Sequence, residues 1–451
     1  MRGRSADSLI SETSRRGSNT TALRLVTGLV AAFGVGGCGA VITPGSATLA
    51  AALSTSSSAV AAPEHSPTPD HTELYDPVAN IIVAGPPINE DGCNGRTATV
   101  LYDGRVLIEG DCAWHSLRRS DYGTESDAAL FDPVTNTVQS GGTLNARRYF
   151  AVAALLPNGK VLVAGGAVPG SSTASSEIYD PATNSFVAVP QMTESRTDAM
   201  AVRLPSGKVL IAGGFGGTAG PGGFGDYLAT TEIYDPASNN FAPGPIMNAP
   251  RGKATATLLA NGKVLIAGGE NLSDNGHDAI IAETDLYDPV SNQFSIGPVM
   301  KQARRNATST LLSNGKVLIA GGMCCTDISP PRYLASSELY DPITNTFSVG
   351  PAMNTPRIAA AATPIPNGKV LIAGGTGHDY GPPIPLPRSF EEASVIPCRS
   401  SGYLASTELY DPVTNRFTPG PLMSAPRSEP TATLLLDGRV FVAGGYCANQ
   451  W

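Results

Sequence analysis

Apolar runs of four or five residues recur along this chain at intervals of about fifty, the spacing of stacked or radial repeats. Asn314-Gly-Lys-Val-Leu-Ile-Ala-Gly-Gly322 is the clearest copy, and related stretches follow Gly104, Gly159, Gly207, Gly262, Gly315, Gly368 and Gly438. The run is apolar without alternation, so it predicts a strand buried on both faces. Before it stands a tight-turn dipeptide, Asn-Gly in four copies, Asp-Gly in two and Ser-Gly in one. These tolerate positive φ and favour a two-residue hairpin. A small-residue strand such as Ala254–Leu259 precedes the turn. In six copies a Gly-Gly ends the run and permits a sharp change of direction.

Each unit continues with a loop of unequal length and a third strand built on Glu-Leu-Tyr-Asp-Pro or a variant. It is centred at Tyr75, Phe131, Tyr179, Tyr234, Tyr287, Tyr340 and Tyr410. The Asp-Pro is a turn signal. A fourth strand follows, marked in five copies by Phe186, Phe241, Phe294, Phe347 and Phe417. Four strands per unit predict an all-β fold, a β-propeller with one blade per unit. The small first strand suits the crowded axis and the bulkier fourth suits the rim. The folded part opens with a third and a fourth strand (Glu73 to Ala84) and closes with a first and a second (Thr431 to Gly445). Joined, these complete a seventh blade, so strands from both ends close the ring and leave no open sheet edge.

The Gly-Gly, the Tyr-Asp-Pro, the rim aromatic and a spaced arginine together resemble the kelch repeat, over about residues 72 to 447. Here the rim residue is mostly Phe where kelch repeats usually have Trp. The Gly-Lys-Val-Leu-Ile-Ala-Gly-Gly form is most similar to bacterial kelch domains related to the central domain of galactose oxidase.

Composition narrows the function classes. The net charge is −8 and aromatic residues make up 6%, which offers neither the basic surface nor the stacking platform of a nucleic-acid binder. The amino terminus is different in kind. Residues 1–22 are polar and basic, Leu25 to Gly37 are apolar but short for a membrane span, and Val35-Gly-Gly-Cys38 resembles a bacterial lipobox. Residues 1–38 therefore read as an export signal with Cys38 as the lipidated residue. The alternatives are plain secretion, with a cut near Ala59-Val60-Ala61, and an uncleaved anchor. Residues 39–70, rich in Ala, Ser, Thr and Pro, read as a flexible tether, and 71–451 as the propeller. Any membrane contact is expected through that lipid alone, placing the protein in a bacterial envelope or outside the cell.

In an antiparallel blade the first-to-second and third-to-fourth turns share one face, here uniformly short. The long loops (111–126, 167–176, 215–230, 270–282, 323–336 and 376–405) and the interblade links share the other. Long loops on a rigid scaffold carry binding, which points to a protein or glycan partner on that face. Six cysteines fall there: Cys93, Cys112, Cys324, Cys325, Cys398 and Cys447. No CxxC or Cys/His spacing suggests a zinc site. In an exported chain they are disulfide candidates, with Cys93 facing Cys112 or Cys447, and Cys398 facing Cys324 or Cys325.

Two sets of residues could bind a ligand. Arg148, Arg196, Arg251, Arg304, Arg357 and Arg427 occupy one repeat position, eleven before the turn glycine. They form either a cationic collar at the axial mouth or a set of structural pairs with Glu177, Glu232, Asp285, Glu338, Glu408 and Glu73. Blade one departs from the repeat with Glu109, Asp111, Cys112, Trp114 and His115, a cluster suited to acid–base work or to a disulfide-tied polar loop. The resemblance to galactose oxidase implies a copper centre at the axis, but its ligand positions fall on Gly95, Phe150 and the stretch Arg427 to Pro430. Cys93 and Tyr149 stand two and one residues off. The expectation is a binding module without cofactor or metal. The alternatives are an enzyme of another type at the axial mouth, or a structural part of an envelope assembly.

Overall fold

The computed structural model describes residues 71–88, 97–110, 126–168, 171–217, 225–272, 278–325, 332–377 and 402–445, and the backbone of 30–33 and 41–42. Seven antiparallel sheets carry the repeat, six of them four-stranded and the seventh, blade five, extended to six strands by two short segments from the amino-terminal part of the chain. Blade one contains Thr97–Val100, Val106–Glu109, Ser126–Asp132 and Thr137–Leu144. Blade four, typical of the rest, contains Thr255–Leu258, Val264–Ala267, Thr284–Asp288 and Gln293–Ile296. Blade seven joins Thr431–Leu434 and Val440–Ala443 to His71–Asp76 and Ile81–Pro87. Its seam is in register, with Glu73 opposite Val442, Leu74 opposite Phe441 and Tyr75 opposite Val440.

The apolar second strands are buried at every position, as in Val264–Ala267 and Val317–Ala320. The core lies between blades rather than inside them. Val202, Leu210 and Met200 of blade three pack on Ala256, Leu258, Ile266 and Tyr287 of blade four, and the other interfaces repeat the scheme. The Tyr-Asp-Pro motif has a local reason. Tyr287 donates its hydroxyl to Asn292 Oδ1 at 2.9 Å, and Asn292 takes a left-handed φ of 54° to close the turn. The same Tyr–Asn pair recurs in five other blades. Blade one has Phe131 instead, which stacks on Phe441 of blade seven with ring centroids 4.3 Å apart.

Two features were not anticipated from the repeat. Several long loops begin as short ribbons: Phe215–Gly216 with Asp226–Tyr227 (joined on its other side by Arg196–Thr197), Glu270–Leu272 with Asp278–Ile280, and Met323–Cys324 with Arg332–Tyr333. The backbone of Val30–Phe33, inside the stretch read as an export signal, pairs with Val41–Ile42 and with the inner strand Thr308–Leu311 of blade five.

Candidate functional site at the axial mouth

The six arginines are interior pegs. Their accessibility is 0–1%. Arg251 donates through Nη1 to the carbonyls of Gly268 and Glu283 at 3.0 and 2.8 Å and through Nη2 to Asp285 Oδ2 at 2.8 Å. Arg148, Arg196, Arg304, Arg357 and Arg427 meet Glu177, Glu232, Glu338, Glu408 and Glu73 in the same way, at 2.8–3.1 Å. The acid of each pair also accepts the backbone N–H of the incoming link, as Glu338 does from Lys301 at 2.7 Å. The carbonyl of the arginine accepts from the second glycine of the preceding blade, Gly269 to Arg304 at 2.9 Å. One residue thus locks two blades, and the collar reading gives way to the structural pairs. A planar guanidinium that serves two carbonyls through one nitrogen and a carboxylate through the other explains why the position is arginine rather than lysine.

Two residues beyond each arginine the chain reaches the mouth. Phe150, Asp198, Lys253, Asn306, Ala359 and Glu429 all adopt φ between 48° and 54°. Four successive backbone bonds link the last five of them from blade to blade: Lys253 to the Asp198 carbonyl, Asn306 to Lys253, Ala359 to Asn306 and Glu429 to Ala359, at 2.9–3.3 Å. Each stands just before an inner strand, so this hoop rims the axial opening on the long-loop side. A left-handed non-glycine costs about 1 kcal/mol or more, and the interblade bonds hold it.

The side chains on the hoop are where the repeat diversifies. Lys253 Nζ lies 2.7 Å from Glu270 Oε1, and Arg305 Nη1 meets Glu270 Oε2. Glu270 is fully buried, so it needs both cations. Tyr227 donates to Asp278 Oδ1 at 3.2 Å, and its burial with that carboxylate pushes the phenol above its ordinary range. Burial raises Asp198, with Lys253 and Arg305 opposing. Burial lifts Glu429 from 4.5 to about 7, reinforced by Asp198 across the opening and opposed by Lys253. Both acids keep some contact with solvent. The mouth gathers four acids, two bases, a phenol and an amide, able to bind a polar or charged group and to hold a proton near neutrality.

The raised Glu429 has a thermodynamic consequence. Its folded form holds the proton more tightly than the unfolded chain does, so its contribution to stability is full below pH 4.5 and is lost as the pH climbs through about 7. Because the carboxyl retains solvent contact, the loss is ~1–3 kcal/mol. In Glu429→Gln this part of the decline between pH 5 and pH 8 should vanish in urea titrations. Equal slopes for both proteins would remove the argument.

Glu109 is fully buried at the end of the second strand of blade one, where the other six copies have alanine. Asp111, Trp114 and His115, like Cys38, Cys93, Cys112, Cys398 and Cys447, lie outside the described residues. Cys324 and Cys325 are free thiols, with Cys324 buried and Cys325 exposed. The hoop itself went unread in the sequence, although a signal was there. Counting back nine residues from each turn glycine gives Phe, Asp, Lys, Asn, Ala and Glu, a variable position inside a near-constant frame. Shallow grooves occur elsewhere, one of about 340 Å³ beside Asn145 and Glu177 and one of about 470 Å³ beside Lys208 and Asp235. Their charged groups are already committed to structural pairs.

No family model matches the chain. An F-box/kelch-repeat protein of Arabidopsis thaliana is 27% identical over 134 residues, 28% of this chain. The chain spans about a third of that relative's length, 34%. Among solved structures, a fungal alcohol oxidase of the AA5 family, in complex with copper, aligns with a TM-score of 0.60 at 17% identity, over 80% of this chain and 72% of the oxidase. YjhT aligns over 64% of this chain and 93% of its own at 15% identity, with a TM-score of 0.49. The fold is a kelch-type β-propeller. The residues do not suit the oxidase's copper. Phe150 has no donor atom, Ser428-Glu429 stands where a tyrosine and a histidine are implied, and among the described residues no three His, Cys, Asp or Glu side chains gather to hold a metal ion.

Proposed function

We propose that this chain is a non-catalytic interaction module that engages a protein or glycan partner through its long-loop face, centred on the axial mouth. The observation that carries the reading is the hoop, which among the described residues varies the side chains of a near-constant scaffold, with Asp198, Lys253, Asn306 and Glu429 placed around the axial opening. The ribbons that begin at Phe215, Glu270 and Met323 surround it and enlarge the surface a partner could cover. A propeller related in form to kelch-repeat proteins suits that role.

A second reading is catalysis at the same mouth. Asp198 and Glu429 are two acids of raised proton affinity facing one basin, the arrangement general acid–base chemistry uses. Copper-radical oxidation is not part of it, for want of matching ligands.

The test is capture from the native host with immobilised residues 70–451, which include all seven blades. Asp198→Asn with Glu429→Gln, and separately Lys253→Met, should each cut recovery of the partner at least tenfold when every protein is compared well below its own melting temperature. Undiminished capture by both would move the contact off the mouth. We further propose export with a lipid on Cys38, from the lipobox-like Val35-Gly-Gly-Cys38. The full chain should then sediment with membranes and Cys38→Ala should not. A soluble wild-type chain would remove the anchor.

A further inference from the structure

The residues with left-handed backbone fall into groups. Seven are the asparagines that close the third-to-fourth turns and six form the hoop. The remaining one is Cys325, at φ 66°, a ribbon position where blade three has Gly217 at φ 87°. Cysteine has no intrinsic preference for that region, so something local holds it there. The turn at Cys325 brings its side chain back beside that of its predecessor, and the two sulfurs stand 2.8 Å apart. Neighbouring side chains on an extended strand would point to opposite faces. Here both thiols lie on one side, at the end of the ribbon Met323–Cys324.

We propose that Cys324 and Cys325 are a vicinal redox pair that closes on itself, rather than two separate partners for other cysteines. The surroundings divide the labour. Cys325 is exposed and Cys324 is buried. Burial and the adjoining thiol push Cys324 up to about 11, so it stays protonated, while the Gln302 amide reaches its sulfur at 3.7 Å. With a small disulfide such as oxidised glutathione, the Cys325 thiolate attacks one sulfur and expels one thiolate, giving a mixed disulfide. The Cys324 thiol then gives up its proton and its sulfur attacks the Cys325 sulfur, expelling the second small thiolate, which takes up that proton. Two protein thiols are oxidised and one small disulfide is reduced to two thiols. Consecutive Cα atoms are about 3.80 Å apart, below the usual disulfide range of about 4.4–6.8 Å. The closed ring is therefore strained, and mild reductant should reopen it.

The full chain can be assayed as it stands. Tryptic cleavage after Lys316 and Arg332 yields one peptide, Val317 to Arg332, holding these two cysteines and no other. After incubation with oxidised glutathione and alkylation, that peptide should run alone, unalkylated and lighter by two hydrogens, and dithiothreitol should restore two alkylatable thiols. Before oxidation, phenylarsine oxide should bind this peptide one to one, and Cys325→Ser should lose both behaviours while remaining folded. Recovery of the peptide joined to the one carrying Cys398, or doubly alkylated after oxidation, would overturn the pairing.

Discussion

Removing Val440 to Trp451 is expected to abolish the folded state, not to trim it. Val440, Phe441, Val442 and Ala443 have no exposed surface, and they pair on one side with Thr431–Leu434 and on the other with His71–Asp76. Burying a Val or Phe side chain is worth about 1.5–3 kcal/mol. Three such residues, the Phe131–Phe441 stack and the backbone ladder all go together. Glu73, whose partner Arg427 has no exposed surface, would lose the strand that holds it in place. The combined loss matches the whole net stability of an ordinary domain, about 5–15 kcal/mol. The truncated chain should show no cooperative thermal transition and should elute as aggregate. A sharp melt near that of the full-length chain would mean that the ring does not depend on its seam.

That dependence was legible in the sequence because it rests on order. A repeat region whose first strand carries Tyr-Asp-Pro and whose last two are a small-residue strand and an apolar run leaves one blade to be completed between them, as the pairing of Glu73 to Tyr75 with Val440 to Val442 shows. The pairing acids of the arginines were legible for the same reason, since Asp285 and its equivalents recur at a fixed place in the third strand. What recurs is what the scaffold needs. The hoop was not legible, since its residue type is free. Backbone bonds from Lys253 to Asp198 and from Asn306 to Lys253 hold the left-handed turn whatever the side chain is. The sequence therefore carries no motif there, only variation. The same logic hid the ribbons, whose strands are two or three residues long and have no period to detect. It also hid the contact between Cys324 and Cys325, which depends on a single φ angle.

Arg251→Ala should be the most damaging single substitution among residues remote from the seam. It would leave Asp285, fully buried, with a charge facing no cation, and would orphan the carbonyls of Gly268 and Glu283. Breaking a buried pair from one side costs about 3–5 kcal/mol. At ~2 °C per kcal/mol for a large chain, the melting temperature should fall by several degrees. Burial already lowers the proton affinity of Arg251, with Asp285 opposing. The pair is therefore not a free gain in stability, and replacing both members should cost less than the single change. Arg251→Met with Asp285→Leu is expected to recover part of the loss, a coupling that a double-mutant cycle reads directly. Arg251→Lys should remain impaired, because one ammonium cannot serve two carbonyls and a carboxylate in the planar fork the site is built for. Partner capture by Arg251→Ala, measured below its melting point, should match that of the unaltered protein. Lost capture with stability intact would return the arginines to the binding surface and undo their assignment as pegs.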